Sequence, residues 1–257
     1  MFHRVWAYRD LLRQYVATQY RLRYRQSLIG VAWAVIPTLV TLGVAIIVFH
    51  KVANIGTGSV PYPLFTLSAL IPWSFFASSM NGGINSISSA QPIVTRLPFP
   101  RAILPLSSLG ISLIDLSVAS GIYVIFTYSY GRGLPLTAVW FPLLVLIEIA
   151  LVSGLVFLGS ALNMFARDLR TLVPLAIQLW LFLTPVMYPL SKVPAQYHDL
   201  YLLNPMTGLA ESFRRVLVYG QAPQFGLLIP AVVGAAVFLV VGTWYFSVTE
   251  ARFADVI

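Results

Sequence analysis

Apolar residues run along this chain in six long blocks separated by short polar breaks, without the short alternation of a soluble domain. A bilayer core of about 30 Å needs roughly 20 mostly apolar residues as helix. The blocks predict spans at about 28–49, 64–84, 103–128, 139–162, 172–188 and 227–248, the fifth short and interrupted by proline. The expected fold class is an all-α membrane protein with six transmembrane helices. Trp140 and Trp244 fall at span ends, where indole rings favour the headgroup level.

The segments between the blocks carry their own pattern. Over residues 2–26, Val5, Tyr8, Leu12, Tyr15 and Val16 share one arc of a helix. Arg9, Arg13 and Arg21 lie outside that arc, and Arg23 breaks the pattern. An interfacial helix fits this arrangement, and a solvated basic tail is the alternative. In the loop SSAQPIVTRLPFPR (88–101), Ser88 or Ser89 suits a helix cap and Pro98 and Pro100 stop the helix. Its Ile93, Val94, Leu97 and Phe99 call for a partner surface or a place in the lipid interface. The longest segment outside the spans, about 189–225, holds Pro189, Pro194, Pro205 and Pro223. Within it, Leu209, Phe213, Val216 and Leu217 are spaced as one face of a helix, which suits re-entry into the membrane or cover over an exit, with an ordinary extracellular loop as the alternative.

Composition agrees with the pattern. The chain is 58% hydrophobic and 9% charged, against about 45–50% and about 25% in typical globular domains, so no charged shell covers a water-soluble fold of this length. The net charge of +8 raises nucleic acid as a partner, but the bases sit beside the first span. With the N-terminus inside, eleven Lys and Arg fall on the inner side: Arg4, Arg9, Arg13, Arg21, Arg23, Arg25, Arg96, Arg101, Arg167, Arg170 and Arg252. Five fall outside: Lys51, Arg132, Lys192, Arg214 and Arg215. That bias predicts both termini in the cytoplasm, and the long basic start is not the pattern of a cleavable signal peptide.

Chemistry-bearing motifs are sparse. There is no cysteine, no phosphate-binding Gly-x-x-x-x-Gly-Lys loop and no Gly-x-Ser-x-Gly elbow; His3, His50 and His198 are scattered. No catalytic constellation, metal site or cofactor is therefore expected in this chain. Asp115 and Glu148 lie inside spans three and four, where an acid is a functional candidate by default. A proton relay and simple pairing between helices both remain open for them. Arg167 and Asp168 after span four serve topology or form a charged hinge.

Three stretches, in order along the chain, carry a family likeness. YRQSLIGVAWAVIP (24–37) resembles the entry to the first span of ABC-transporter type-2 permeases, particularly exporters of O-antigen, capsule or teichoic acid; Ile29 stands where that family often has Leu. NMFARDL (163–169) resembles the family's cytoplasmic Phe-x-Arg-Asp-Leu segment. FLTPVMYP (182–189), then Val193-Pro194 and LNPM (203–206), resembles the end of span five and the opening of the outer helices.

The resemblance implies a single permease domain over 1–257, with an interface helix (1–27), a six-span bundle (28–248) and a cytoplasmic tail (249–257). It implies a homodimer in the bacterial inner membrane with two cytoplasmic ATPase subunits that bind ATP and Mg. Gln91, Ile93, Val94, Arg96, Leu97, Phe99, Arg101, Arg167 and Asp168 would couple to the ATPase. Arg21, Arg23, Arg25, Ile29, Gly30, Trp33, Phe75, Phe76, Trp180, Phe182 and Tyr188 would form a glycan entry or channel, with aromatic faces stacking on sugars and arginines meeting a lipid pyrophosphate. Packing between helices is the alternative for each aromatic, and anionic-lipid anchoring for the arginines. Asn204, Pro205 and Phe213 would belong to the outer gate. Export of a lipid-linked polysaccharide is the first functional reading. Export of drugs or small lipids, and an intramembrane glycosyltransferase or acyltransferase, are the competing ones.

Overall fold

The computed structural model describes residues 2–25, 29–91, 99–166, 168–250 and 253, and among them there are helices and no strands. The chain opens with α1 (Phe2–Ala7) and α2 (Arg9–Tyr24). A 3-10 turn (Gly30–Ala34) leads into α3 (Ile36–Ala45), which widens into a π-helical stretch (Ile46–Val52). Next come α4 (Tyr62–Ser89), α5 (Ile103–Ser129) and α6 (Phe141–Phe165), the last preceded by a 3-10 turn (Leu136–Trp140). Then follow α7 (Leu169–Leu183), the short α8 (His198–Leu202), α9 (Pro205–Leu217) and α10 (Phe225–Thr249).

Four of the six expected spans are helices long and apolar enough to cross a bilayer: Tyr62–Ser89, Ile103–Ser129, Leu136–Phe165 and Phe225–Thr249. The first block departs from expectation in length, and the fifth is short and proline-interrupted as expected. Both are apolar but shorter, at Ile36–Val52 and Leu169–Leu183. Gly30, at φ +57°, and the proline at position 37 delay the first helix, because proline is tolerated only in a helix's opening turn. Pro185 ends the fifth, since the residue before a proline is pushed out of helical geometry; Thr184 is extended at φ −106°, ψ 133°.

α4 is the centre of the bundle, with 78% of its apolar stretch buried, against 22% for α10 at the rim. It packs on α5, α6 and α9, while α10 lies along α6 and α9. Phe65, Phe75, Phe76, Leu144, Val152, Val156 and Phe213 fill this core. A smaller cluster joins Val5, Ile87, Ala102, Phe157, Phe246 and Phe253 at the other end. α6 and α10 approach each other closely, backbone to backbone. A Cβ on Gly154 would collide with the Phe238 backbone, and one on Gly242 with the Gly154 carbonyl. Glycine lets two backbones meet where lipid offers no competing solvent force, so dispersion and fit drive the contact.

The N-terminal helix is seated as well as amphipathic. α2 lies along α5, where Val16 covers Gly110. Of the expected stripe, Val5 is buried and Leu12, Tyr15 and Val16 are half-buried, whereas Tyr8 is exposed at the break between α1 and α2.

Candidate functional site: a polar cavity beside the first apolar helix

A cavity of about 290 Å³ opens between α3, α4 and α5 and is bordered by Arg23, Trp33, Trp73, Phe75, Asn81 and Asp115. Its polar wall comes from helical spacing. Ser74, Ser78, Asn81 and Asn85 recur at four, three and four residues along α4, which places them on one side. Ser74 meets Thr38 of α3 at 3.0 Å, and Ser78 meets Ser112 of α5 at 3.0 Å. The Asn81 and Asn85 amides donate one turn back, to the Ala77 and Asn81 carbonyls at 2.9 and 3.0 Å. Among the described residues no donor reaches the Asn81 Oδ1, an acceptor on a residue that borders the cavity.

Charge closes one end. The Arg23 guanidinium donates to the Asp115 carboxylate at 3.0 Å and the Tyr24 hydroxyl donates to its other oxygen at 3.2 Å. Asp115, on α5, takes its partners from α2, the arrangement the pairing alternative describes. Burial, then repulsion from the Asp115 carboxylate, pushes the Tyr24 hydroxyl up to about 12, so it stays a donor at neutral pH. Glu148 is fully buried on α6, and no partner among the described residues touches its oxygens. It does not border the cavity with Asp115.

The expected channel residues divide. Arg23, Trp33 and Phe75 border the cavity together, and Trp33 is half exposed. Arg21 and Arg25 are exposed and border a separate groove at the end of α2. Ile29 is exposed and Gly30 forms the left-handed turn before Trp33. Phe76 is buried between Trp73 and Trp180, its ring centroid 5.1 Å from each, so these two expected channel aromatics pack α4 against α7. Phe182 is exposed; Tyr188 stacks on Phe49 at 6.4 Å and donates to the Phe182 carbonyl at 2.7 Å. Trp73 and the hydroxyl stripe escaped the sequence reading, although the four-three-four recurrence of Ser and Asn within an apolar block is a legible signal.

The expected coupling residues are placed in part. Ile93, Val94, Arg96, Leu97 and Arg167 lie outside the described residues. Gln91 lies two residues beyond the end of α4 and Phe99 is half-buried against the smaller cluster. Arg101 is turned onto the C-terminal segment. Its backbone N–H donates to the Glu250 carboxylate at 2.9 Å, its guanidinium to the Glu250 carbonyl, and it sits 6.0 Å over the Phe253 ring. Asp168 is exposed, and its carbonyl starts α7 by accepting from Thr171 and Leu172. Of the expected gate residues, Asn204 caps α9 by accepting from the Met206 N–H at 3.1 Å. Pro205 is buried against Gly234, and Phe213 is buried edge-on to Phe141 at 5.5 Å.

The profile of the ABC-2 type transporter family matches residues 11–218, which takes in the interface helix, the cavity and α9. The chain belongs to that family. It is 29% identical over 254 residues to the O-antigen export system permease protein RfbA of Myxococcus xanthus, covering 98% of this chain and 96% of that one. An O-antigen export system permease protein RfbA of Klebsiella pneumoniae is 28% identical over 249 residues, covering 96% and 95%. The polysialic acid transport protein KpsM of Escherichia coli is 21% identical over 214 residues, covering 79% and 80%. The ordered motifs at 24–37, 163–169 and 182–206 thus belong to a membrane transporter with several apolar helices.

Proposed function

We propose that this chain is the permease subunit of an ATP-driven exporter that moves a lipid-linked polysaccharide outward across the bacterial cytoplasmic membrane. Two copies form the conduit, and two cytoplasmic ATPase subunits carrying ATP and Mg drive it. The observation that carries the reading is near-full-length similarity to O-antigen export permeases together with a cavity of matching chemistry. Trp33 supplies a flat apolar face, Ser74, Ser78 and Asn81 supply hydroxyl and amide groups, and the half-exposed Arg23, shared with Asp115, supplies a cation. Sugar rings need the first two, and a phosphate linker needs the third.

Several features support the assembly. α3 with its π-helical extension spans about 25 Å at 1.5 Å per residue, and α7 is shorter, so lipid alone covers their ends poorly. Val40, Val44 and Ile47 on the first, and Leu172, Leu175 and Leu179 on the second, leave apolar faces open for a second copy. The excess of arginine before α3 supports cytoplasmic termini. The loop 91–101 is the seat for the ATPase, and α9 belongs to the outer gate.

An intramembrane enzyme fits the geometry less well, because Asp115 is engaged by Arg23 and Tyr24 and Glu148 is sealed in the core. The test is deletion and complementation. Cells lacking the chain should retain glycan inside and regain surface glycan with the gene restored, and the purified chain should bring down a P-loop ATPase. Unchanged surface glycan after deletion, with no associated ATPase, would end the reading. Unchanged glycan with loss of drug or small-lipid efflux would move it to the competing transport class.

A further inference from the structure

The most heavily engaged cation in the described residues belongs neither to the cavity nor to the coupling loop. Arg214, on α9, is fully buried. It donates to the Glu211 carboxylate at 2.5 Å, and to the carbonyls of Pro185 and Val186 at 2.8 and 3.0 Å. Its guanidinium carbon lies 3.8 Å over the Phe65 ring of α4. Burying a guanidinium is costly, and an apolar residue of similar size would pack α9 as well. What an apolar residue lacks is a guanidinium, whose one terminal nitrogen serves both carbonyls while the other holds the Glu211 carboxylate.

Those carbonyls belong to the break after α7. The Thr184-Pro185 step ends the helix and frees backbone acceptors that an apolar setting leaves without water. The break is held by more than Arg214. The Tyr62 hydroxyl donates to the Met187 carbonyl at 2.8 Å, and the Asn204 amide donates to the Thr184 hydroxyl at 2.9 Å. Two of these three ties, from Arg214 and Asn204, come from α9 and the residue that caps it. They join the end of α7 to α9, whose other faces pack on α4, α6 and α10.

We propose that Arg214 is the positioning residue that locks the broken end of α7 to α9, so that the two move as one unit and displacement of α7 carries the outer helix with it. The inference rests on the export reading for its direction, but its geometry is tested separately. Because this chain has no cysteine, introduced thiols are the only ones in it. Thr184→Cys with Asn204→Cys, bridged by a short thiol crosslinker in the assembled exporter, should export as well bridged as unbridged. Export that stops only on bridging would show that the two segments must part, and would overturn the proposal.

A second arm uses Val186→Cys, buried beneath Arg214, and a membrane-impermeant maleimide on vesicles holding the assembled complex. With Arg214 present the thiol should stay protected with and without ATP. Arg214→Gln should raise labelling and lower export about tenfold or more while ATP hydrolysis continues, since a buried charge network is lost. Arg214→Lys should recover part of the protection by donating to one carbonyl. Protection and export both unchanged in Arg214→Gln would overturn the proposal. If that variant does not accumulate, the bridged pair decides alone. Absence of glycan export from the unmodified complex would count against the export reading, while Val186→Cys labelling would still decide the lock.

Discussion

Arg23 and Asp115 stand 92 positions apart in sequence and 3.0 Å apart in space, and their contact fastens α2 to α5. The Asp115 side chain is 13% exposed and the Arg23 side chain 50%. The two partners therefore differ in what their loss leaves behind. Arg23→Gln strands a nearly buried carboxylate, whereas Asp115→Asn strands only a half-solvated guanidinium. Arg23→Gln is expected to lower thermal stability of the detergent-purified protein more than Asp115→Asn does, with the double variant recovering part of the loss. The pairwise coupling should be about 0.5–1 kcal/mol, because one partner is solvated. Equal losses that simply add would show that the contact contributes nothing.

Tyr24 gives the same junction a pH signature. Its hydroxyl is raised to about 12 by burial and by Asp115, and the neutral phenol is the form that donates to the carboxylate. A group whose folded value is raised contributes stability that is fully present below its unfolded value of about 10 and is lost as pH rises towards about 12. Tyr24→Phe should therefore be less stable than the parent at neutral pH, with the gap closing above about pH 10. Tyrosinate absorbance followed in parent and variant would locate the titration.

Glycines 154 and 242 mark where α6 and α10 meet backbone to backbone. Gly154→Leu should abolish accumulation of the folded protein, since the collision is with the Phe238 main chain and no rotamer relieves it. Gly83→Ala meets the Val156 side chain instead and should cost about 1–3 kcal/mol, the range for overpacking. Membrane-inserted yield and melting temperature of the two variants check the ranking.

Trp33 is half exposed at the cavity and has no ring stacked on it among the described residues. Trp33→Ala should cut glycan export about tenfold with normal insertion, and Trp33→Phe should retain most of it, since a flat apolar face is what sugar stacking needs. Surface glycan measured against membrane protein level separates transport from folding. Phe76→Ala, in the buried stack with Trp73 and Trp180, should instead lower stability by about 3–5 kcal/mol.

The proposed coupling loop yields a contrast between two arginines. Arg101 is bound to Glu250 and Phe253, so Arg101→Glu should weaken the anchoring of the C-terminal segment and lower stability. Arg96→Glu should leave insertion and stability intact and uncouple ATP hydrolysis from export. Parallel measurement of melting temperature and of glycan exported per ATP distinguishes the two, and identical behaviour would remove the distinction.

Much of this protein was legible along the chain because lipid imposes a one-dimensional rule. A span must be long, apolar and internally hydrogen-bonded, so α4, α5, α6 and α10 announce themselves in the sequence. The amphipathic stripe of α2 and the helix at α9 were readable for a similar reason, since periodicity is local. The shortness of α7 was announced by its prolines, whereas that of α3 was hidden, because a run of apolar residues does not reveal where a glycine turn delays the hydrogen bonding.

Which side chains meet was not legible, because such pairings depend on how helices are placed in three dimensions. Arg23 looked like a flaw in an amphipathic pattern until α5 brought Asp115 beneath it. Arg214 counted as one more base outside the spans until the break at Pro185 turned two carbonyls towards it. The amino-acid order by itself determined a membrane-embedded helical protein, because hydropathy is a property of the chain. The tertiary structure alone decided which polar groups would meet inside it, because an apolar interior makes each of them seek a partner wherever the fold supplies one.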